Sequence, residues 1–373
     1  MKVLQVNKLY APTIGGIETI VRDIAEGLNG QTEMQVLVCQ PKGKHQKELL
    51  SGVKVIRANS FGTALSMPLS IDFFRQYRKL SKEVDIVQLH FPFPLADLAT
   101  WLFDCKGKLV IWWHSDIVRQ KFFLKLLSPL IHRTLQRADS IIVAANETLQ
   151  SSKFLPKYID KCKIIPFGLN FEDYELPNST TENFLANKLN NSNNKKLLFV
   201  GRLVYYKGID ILLKAMKGIN NAELFIVGTG TLEEQLKAEA KHLSITKNVH
   251  FLGNLSKVEL LSSYKDCDFL IFPSCANSEA FGLTQLEAMY YGKPVINTNL
   301  PTAVPWVSVH KKTGLTVPVA DVCALNKAIH LLVNDNSLRE ELGKNAAIRV
   351  RELFDRKSMM NNLHTHYRQI LEA

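Results

Sequence analysis

At 373 residues the chain is too long for one ordinary core and suits two domains of similar size. A hydrophobic share of 46% beside 22% charged residues excludes a disordered chain, and no apolar run reaches the roughly 18 residues of a membrane span. The net charge of +11 points to an anionic partner: a phosphate ligand, a nucleic acid or a lipid surface. Basic residues are not interleaved with aromatics in any recognisable nucleic-acid module, which counts against the second of these.

The opening "MKVLQVNKLY" breaks its apolar run with Gln5, Asn7 and Lys8, so it reads as a first strand rather than a signal peptide, and a cytoplasmic protein is expected. Further apolar or β-branched runs follow at "MQVLVC", "VKVIRA", "DIVQLH", "KLVIWWH", "SIIVAA" and "CKIIPF", separated by helical or turn-rich stretches. This alternation predicts a parallel sheet with helices on both faces. A polar stretch near "NSTTENFLANKLNNSNNKK" has no buried face and reads as a linker or surface excursion. A second set of strands then begins: "KLLFVG", "AELFIVG", "NVHFLG", "DFLIFPS", "KPVINT" and "GLTVPV". The expected division is an N-terminal domain over 1–175, a linker over 176–195 and a C-terminal domain over 196–356. An amphipathic helix over 357–373 is expected to pack across the junction. The six cysteines form no C-x-x-C pair and read as small buried hydrophobes, not as metal ligands or disulfides.

In open α/β sheets ligands bind beyond the carboxyl ends of the strands, so the polar motifs there carry the functional reading. After the first strand, Gly15-Gly16 opens a helix, which suits close approach of a phosphate or sugar or else a plain structural turn. The dinucleotide pattern G-x-G-x-x-G is absent. His114 ends the strand "KLVIWWH" and is either a packed ring or a substrate contact, while Asp116 reads as a helix cap. Arg202 and Lys207 straddle a strand-to-helix turn in "GRLVYYKG", where two cations could reach a diphosphate or simply be solvated. Gly228 and Gly230 in "VGTGT" would let a base or phosphate lie against the backbone. Glu279 precedes an apolar helix and Glu287 lies inside it, with Phe281-Gly282-Leu283 between them. Two acceptors beside the first N–H groups of a helix suit a ligand rich in hydroxyls or phosphate, or else are two solvated helix charges. Asp266 and Asp268 have D-x-D spacing but sit before a buried strand and read as turn residues.

Taken in order, the loop Gly15-Gly16-Ile17-Glu18, the segment "GRLVYYKG", the pair Glu279…Glu287 in E-x7-E spacing and the trailing "TGLTVPVAD" form one pattern. Over nearly its whole length the chain resembles the retaining glycosyltransferases of family 4. The resemblance implies the GT-B architecture: α/β, with two facing Rossmann-like doubly wound domains and a cleft between them. It implies that Glu287 binds ribose hydroxyls of a nucleoside-diphosphate sugar and that Glu279 holds hydroxyls of the transferred sugar. Arg202, Lys207 and the amides near Phe281, Gly282 and Leu283 would stabilise the departing diphosphate without a metal or other cofactor. His114 would meet the sugar near its C6 hydroxyl, Gly15 and Gly16 would line the phosphate and acceptor side, and Gly228 would lie against the nucleotide.

The wording around "EAMYYGKPVINTNLPTAVPWVSV" is similar to that of mannosyl- and rhamnosyl-type transferases of O-antigen or capsule assembly. The expected acceptor is then a glycan on a polyprenyl diphosphate carrier. A sugar-nucleotide 2-epimerase of the same fold is the alternative enzyme; a catalytically silent sugar-nucleotide or lipid-binding scaffold is the alternative outside catalysis. The stretch 117–137 carries Arg119, Lys121, Lys125, Arg133 and Arg137 among apolar residues, with Pro129 expected to kink or split its helix. It is either a buried helix or a peripheral surface for an anionic membrane.

Overall fold

The structure is a computed structural model that describes residues 1–13, 15–64, 67–117, 121–176 and 183–373. The chain divides into two compact units, Met1–Phe167 with Lys357–Ala373, and Gly168–Arg356.

The first unit carries β1 (Lys2–Val6), β2 (Glu33–Cys39), β3 (Gln46–Leu50), β4 (Val53–Ala58), a short hairpin of β5 (Thr63–Ala64) and β6 (Met67–Pro68), β7 (Ile86–Phe91), β8 (Lys108–Trp113), β9 (Ser140–Val143) and β10 (Cys162–Ile164). Its main sheet has the order β10-β9-β8-β7-β1-β2-β4-β3. All pairs are parallel except β3, which lies antiparallel on β4 at the edge. The expected all-parallel sheet is corrected there. "QKELL" is largely exposed and returns into β4 by a tight turn at Ser51-Gly52, and it lacks the apolar run that marks a central strand. The interior strands are buried on both faces, as β7 is at every position, because helices cover the sheet from both sides.

The second unit contributes β11 (Lys195–Val200), β12 (Ala222–Val227), β13 (Val249–Gly253), β14 (Phe269–Phe272), β15 (Val295–Thr298) and β16 (Gly314–Val317). They form one parallel sheet in the order β13-β12-β11-β14-β15-β16. Counted along the chain this is the doubly wound order 3-2-1-4-5-6, so the sheet reverses direction between β11 and β14. In the first unit the same reversal falls between β1 and β7. Each reversal opens a crevice beyond the carboxyl ends of its two strands, and the polar motifs follow those strands.

Residues 177–182 of the polar stretch lie outside the described residues. From 183 onward it is fastened to the second unit. The Asp266 carboxylate accepts the N–H groups of Leu185 and Ala186 at 2.7 and 2.8 Å. The fully buried Glu223 accepts those of Asn190 and Asn191, both at 3.0 Å. Asp268 accepts the backbone N–H of Lys196 at 2.7 Å, and Lys196 pairs with Asp266 at 2.9 Å. The D-x-D carboxylates thus hold backbone and a lysine in place.

The helix Lys121–Arg137 runs through Pro129 undivided. Residues 118–120, Arg119 among them, lie outside the described residues, as do the side chains of 121–126. Arg137 pairs with Asp104 at 2.6 Å and donates to the Thr100 carbonyl, and Arg133 lies 5.9 Å over the Trp101 ring. Two of the five basic residues are therefore engaged by the neighbouring helix Pro94–Leu102.

Candidate active site

In the second unit the crevice is built from the loops after β11 and β14. Gly208 caps the helix Ile209–Ala215 at φ 67°, and a Cβ there would fall 2.1 Å from the Pro273 carbonyl. Only glycine lets these loops meet so closely. Lys207, just before it, is buried and forms an ion pair with Glu279 at 2.5 Å. Glu279 is likewise buried and accepts the Ser274 hydroxyl at 3.1 Å. The ammonium also lies 4.9 Å over the Phe272 ring, a contact that suits a desolvated cation. Arg202 is exposed on the same loop and donates to the Tyr206 hydroxyl at 3.2 Å.

Phe272 also supports the next part of the site. Gly282 takes φ 84° at the start of the helix Leu283–Tyr290, and a Cβ there would meet the Phe272 ring at 2.7 Å. Gly282 supplies no side-chain cap; the Gln285 N–H turns back to the Gly282 carbonyl at 2.9 Å, so the Leu283 and Thr284 N–H groups are the ones left to a ligand or to water. Cation and helix terminus therefore converge on one aromatic ring.

Glu287, one turn into that helix, takes a different environment. Its two oxygens accept the Tyr174 hydroxyl at 3.0 Å and the Tyr264 hydroxyl at 2.5 Å. Burial pushes the carboxyl above the ordinary glutamate value, against the opposing pull of both phenols and of the Lys207 charge. Phe281 is buried edge-on to Trp306 at 6.2 Å, so its side chain is a packing element of the loop. The space a Cβ on Gly228 would take is filled by the Gly201 carbonyl at 2.1 Å, and that on Gly230 by Leu203. Both glycines are required by the chain's own backbone.

In the first unit, Gly15 begins the helix Gly16–Gly27 without a side-chain cap. The Glu18 carboxylate folds back to within 2.2 Å of where a Gly15 Cβ would stand, whereas a Cβ on Gly16 would meet nothing within 4 Å. His114 follows β8, its N–H bonded to the Phe91 carbonyl at 3.1 Å. Its ring lies 5.6 Å from Phe167 and 5.2 Å from His90. Burial lowers its pKa to about 3, so at neutral pH it offers a hydrogen bond, not a charge. Asp116 does not cap a helix. It accepts Trp113 Nε1 at 3.1 Å, the Ser152 hydroxyl at 2.7 Å and the Lys153 N–H at 2.9 Å, tying two loops together.

The sequence motifs did not disclose Ser274, Phe272, Tyr174 or Tyr264. Only Ser274 carried a local signal, since it follows β14 directly in "FPS". Among the described residues no cluster of three His, Cys, Asp or Glu side chains is arranged to hold a metal ion.

Two expected outcomes follow from the two carboxylates. Lys207→Ala leaves Glu279 buried without its cation and should lower unfolding stability by about 3 kcal/mol. Adding Glu279→Gln should recover much of that in urea denaturation; a single-variant loss below about 1 kcal/mol would mark the pair as an ordinary surface bridge. For Glu287 the folded pKa is raised, so its contribution favours folding below the ordinary glutamate value and is lost as pH rises through the folded value. Glu287→Gln does not titrate. Its urea midpoint relative to the parent should therefore move in the variant's favour as pH rises above the ordinary glutamate value of about 4.3; a constant gap would contradict the upward shift.

The sequence matches the family model Glycosyltransferase Family 4 over residues 14–173 and the model Glycosyl transferases group 1 over residues 180–349. It is 34% identical to the D-rhamnosyltransferase WbpZ of Pseudomonas aeruginosa over 95% of this chain and 92% of that one. It is 31% identical to the O-antigen chain mannosyltransferase C of Escherichia coli over 100% of both chains. Among solved structures, the Anabaena protein Alr3699/HepE in complex with UDP-glucose superposes with a TM-score of 0.80 at 18% identity, covering 99% of this chain and 100% of that one. The fold is GT-B, and the chain belongs to the family 4 glycosyltransferases.

Proposed function

We propose that the enzyme moves a hexose, mannose or a related sugar, from a nucleoside-diphosphate sugar to a lipid-linked glycan acceptor, with retention at the anomeric carbon. The setting is bacterial surface-polysaccharide assembly, such as O-antigen or capsule. One observation carries this reading: the buried Lys207–Glu279 pair shares the Phe272 ring with the uncapped start of the helix Leu283–Tyr290. A fixed cation and free amides suit a diphosphate, and carboxylates in the same crevice suit hydroxyls. The names of the two relatives favour a mannosyl or rhamnosyl donor, and the neighbour bound to UDP-glucose favours a nucleotide-linked one.

In this reading the bond from the anomeric carbon to the diphosphate breaks ahead of attack, and charge grows on the leaving phosphate oxygens. Lys207, Arg202 and the first-turn amides meet that charge, an electrostatic contribution already in place before reaction. Glu279 is assigned to sugar hydroxyls, Glu287 to the ribose and His114 to the sugar as a neutral ring. Gly15 and Gly16 belong to the acceptor side. Protein cations do the neutralising, so no metal is assigned. Among the described residues no helix is long and apolar enough to cross a membrane; the lipid-linked acceptor is assigned to peripheral contact with the cytoplasmic face of an anionic membrane.

Thermal shift against UDP, GDP, ADP and dTDP sugars identifies the donor, since a ligand at a hundred times its Kd adds about 2.7 kcal/mol. With that donor, Arg202→Ala should lower turnover about a hundredfold, and activity should survive EDTA. Glu287→Ala should weaken binding of the bare nucleotide, whereas Glu279→Gln should spare it and slow transfer. Nucleoside diphosphate released without any acceptor would indicate a 2-epimerase instead. Stabilisation by a donor with no turnover on any lipid-linked acceptor would favour a silent scaffold.

A further inference from the structure

Behind His114 lies a closed hydrogen-bonded ring of buried side chains from β1, β7 and the helix Arg356–Glu372, all within the first unit. Gln5 Nε2 donates to the Tyr367 hydroxyl at 3.2 Å, that hydroxyl donates to Gln88 Oε1 at 2.5 Å, and Gln88 Nε2 donates to Gln5 Oε1 at 2.9 Å. Gln5, Gln88, His90 and Tyr367 are at most 1% exposed.

The lengths suit one direction around this ring. A separation of 2.5 Å suits O–H···O and is short for N–H···O, while 3.2 Å is long for O–H···O and ordinary for N–H···O. Turning both amides over would exchange those two assignments and place each bond outside its range. With the ring so ordered, Gln5 presents Oε1 to His90.

His90 Nε2 lies 2.7 Å from that oxygen and 3.3 Å from Gln88 Nε2; the shorter contact, to an acceptor, assigns the proton to Nε2. A neutral imidazole protonated at Nε2 has a lone pair at Nδ1. His90 Nδ1 lies 2.9 Å from His114 Nε2, so the proton of His114 sits on Nε2. The opposite tautomer would set two lone pairs against each other, an unpaired buried polar contact of the kind proteins avoid. His90 cannot turn aside, because its ring stacks on Trp112 at 6.2 Å and on His114 at 5.2 Å. Among the described residues no atom bonds to His114 Nδ1, and His114 keeps 7% of its surface exposed.

We propose that Tyr367, Gln88, Gln5 and His90 are positioning residues that hold His114 in the Nε2–H tautomer, so that its Nδ1 lone pair is offered as an acceptor to a hydroxyl of the bound ligand. The tautomer follows from the ring alone; only the identity of the ligand as a sugar rests on the transferase reading. The C-terminal helix thereby acts on the site through a chain of fixed protons, and the site accepts from a hydroxyl but cannot donate to a carbonyl or ether at that position.

The test is nitrogen-15 NMR of the full chain with labelled histidine, His114 and His90 being assigned from His114→Gln and His90→Gln spectra. At neutral pH both rings should show a protonated Nε2 and an unprotonated Nδ1. Tyr367→Phe removes the hydroxyl that orders the amides, so His114 should gain an Nδ1–H population. With donor and acceptor, kcat should fall about tenfold, the loss of roughly one hydrogen bond, while affinity for the bare nucleotide stays unchanged. Nδ1–H on His114 in the parent, or a Tyr367→Phe spectrum identical to the parent's, overturns the proposal. The spectra need no substrate. Failure of every nucleotide sugar to turn over would sink the transferase reading and leave the relay standing.

Discussion

The ion pair between Lys207 and Glu279 is the constraint on which the second unit's site depends. Its two members come from the loops after β11 and β14, the neighbouring strands at which the sheet reverses. A buried charge is costly unless it is paired and hydrogen-bonded. Once one loop carries the cation, the other must bring the carboxylate to the same point. Gly208 makes this feasible by letting its backbone reach the Pro273 carbonyl, and Phe272 floors the pair. The result is a cation held before any ligand arrives. An anion entering the crevice then meets a charge whose side-chain entropy has already been lost on folding.

The same helix segment gives its two glutamates opposite surroundings. Glu279 faces a cation and a hydroxyl; Glu287 faces two phenols and pays a desolvation penalty that raises its pKa. Carboxyls in such different surroundings suit different partners. Glu279 stays tied to the Lys207 charge. Glu287, ringed by tyrosines, is suited to neutral hydroxyl partners, since it already accepts from two of them.

Much of this was legible in the sequence because it obeys local rules. Alternating apolar runs and helices announced two parallel sheets; Arg202, Lys207 and His114 were singled out because they follow strands, and Glu279 because it precedes an apolar helix that carries Glu287. What escaped lies in long-range pairing. Tyr174 reaches Glu287, and Tyr367 reaches Gln88, from positions with no patterned relation to them. The polar run after 182 resembled a free excursion because its anchors, Glu223 and Asp266, stand far off in sequence. Edge strand β3 was missed since an exposed antiparallel strand needs no apolar run. Where a Gly228 Cβ would stand, the neighbouring loop's Gly201 carbonyl already sits. A glycine's need for space is visible in sequence, whereas the identity of the group that fills the space is not.

Charge distribution follows the same logic. The net +11 counts every carboxylate equally, yet several of them satisfy groups inside the second unit. Glu223 takes backbone N–H groups, the Asn194 amide and His250. Glu287 takes two phenols. Among the described residues the buried charges are matched, Asp97, Glu223 and Glu279 against Arg57, Lys207 and Arg339. The formal excess of cations is therefore carried outside the core. Fields from exposed charges fade over about 8 Å at physiological salt, so what an approaching ligand senses is the local surface excess, not the formal total. That excess lies at the surface. It suits partners bearing phosphate, whether on a nucleotide, a carrier or a lipid surface, and it makes their encounter sensitive to ionic strength.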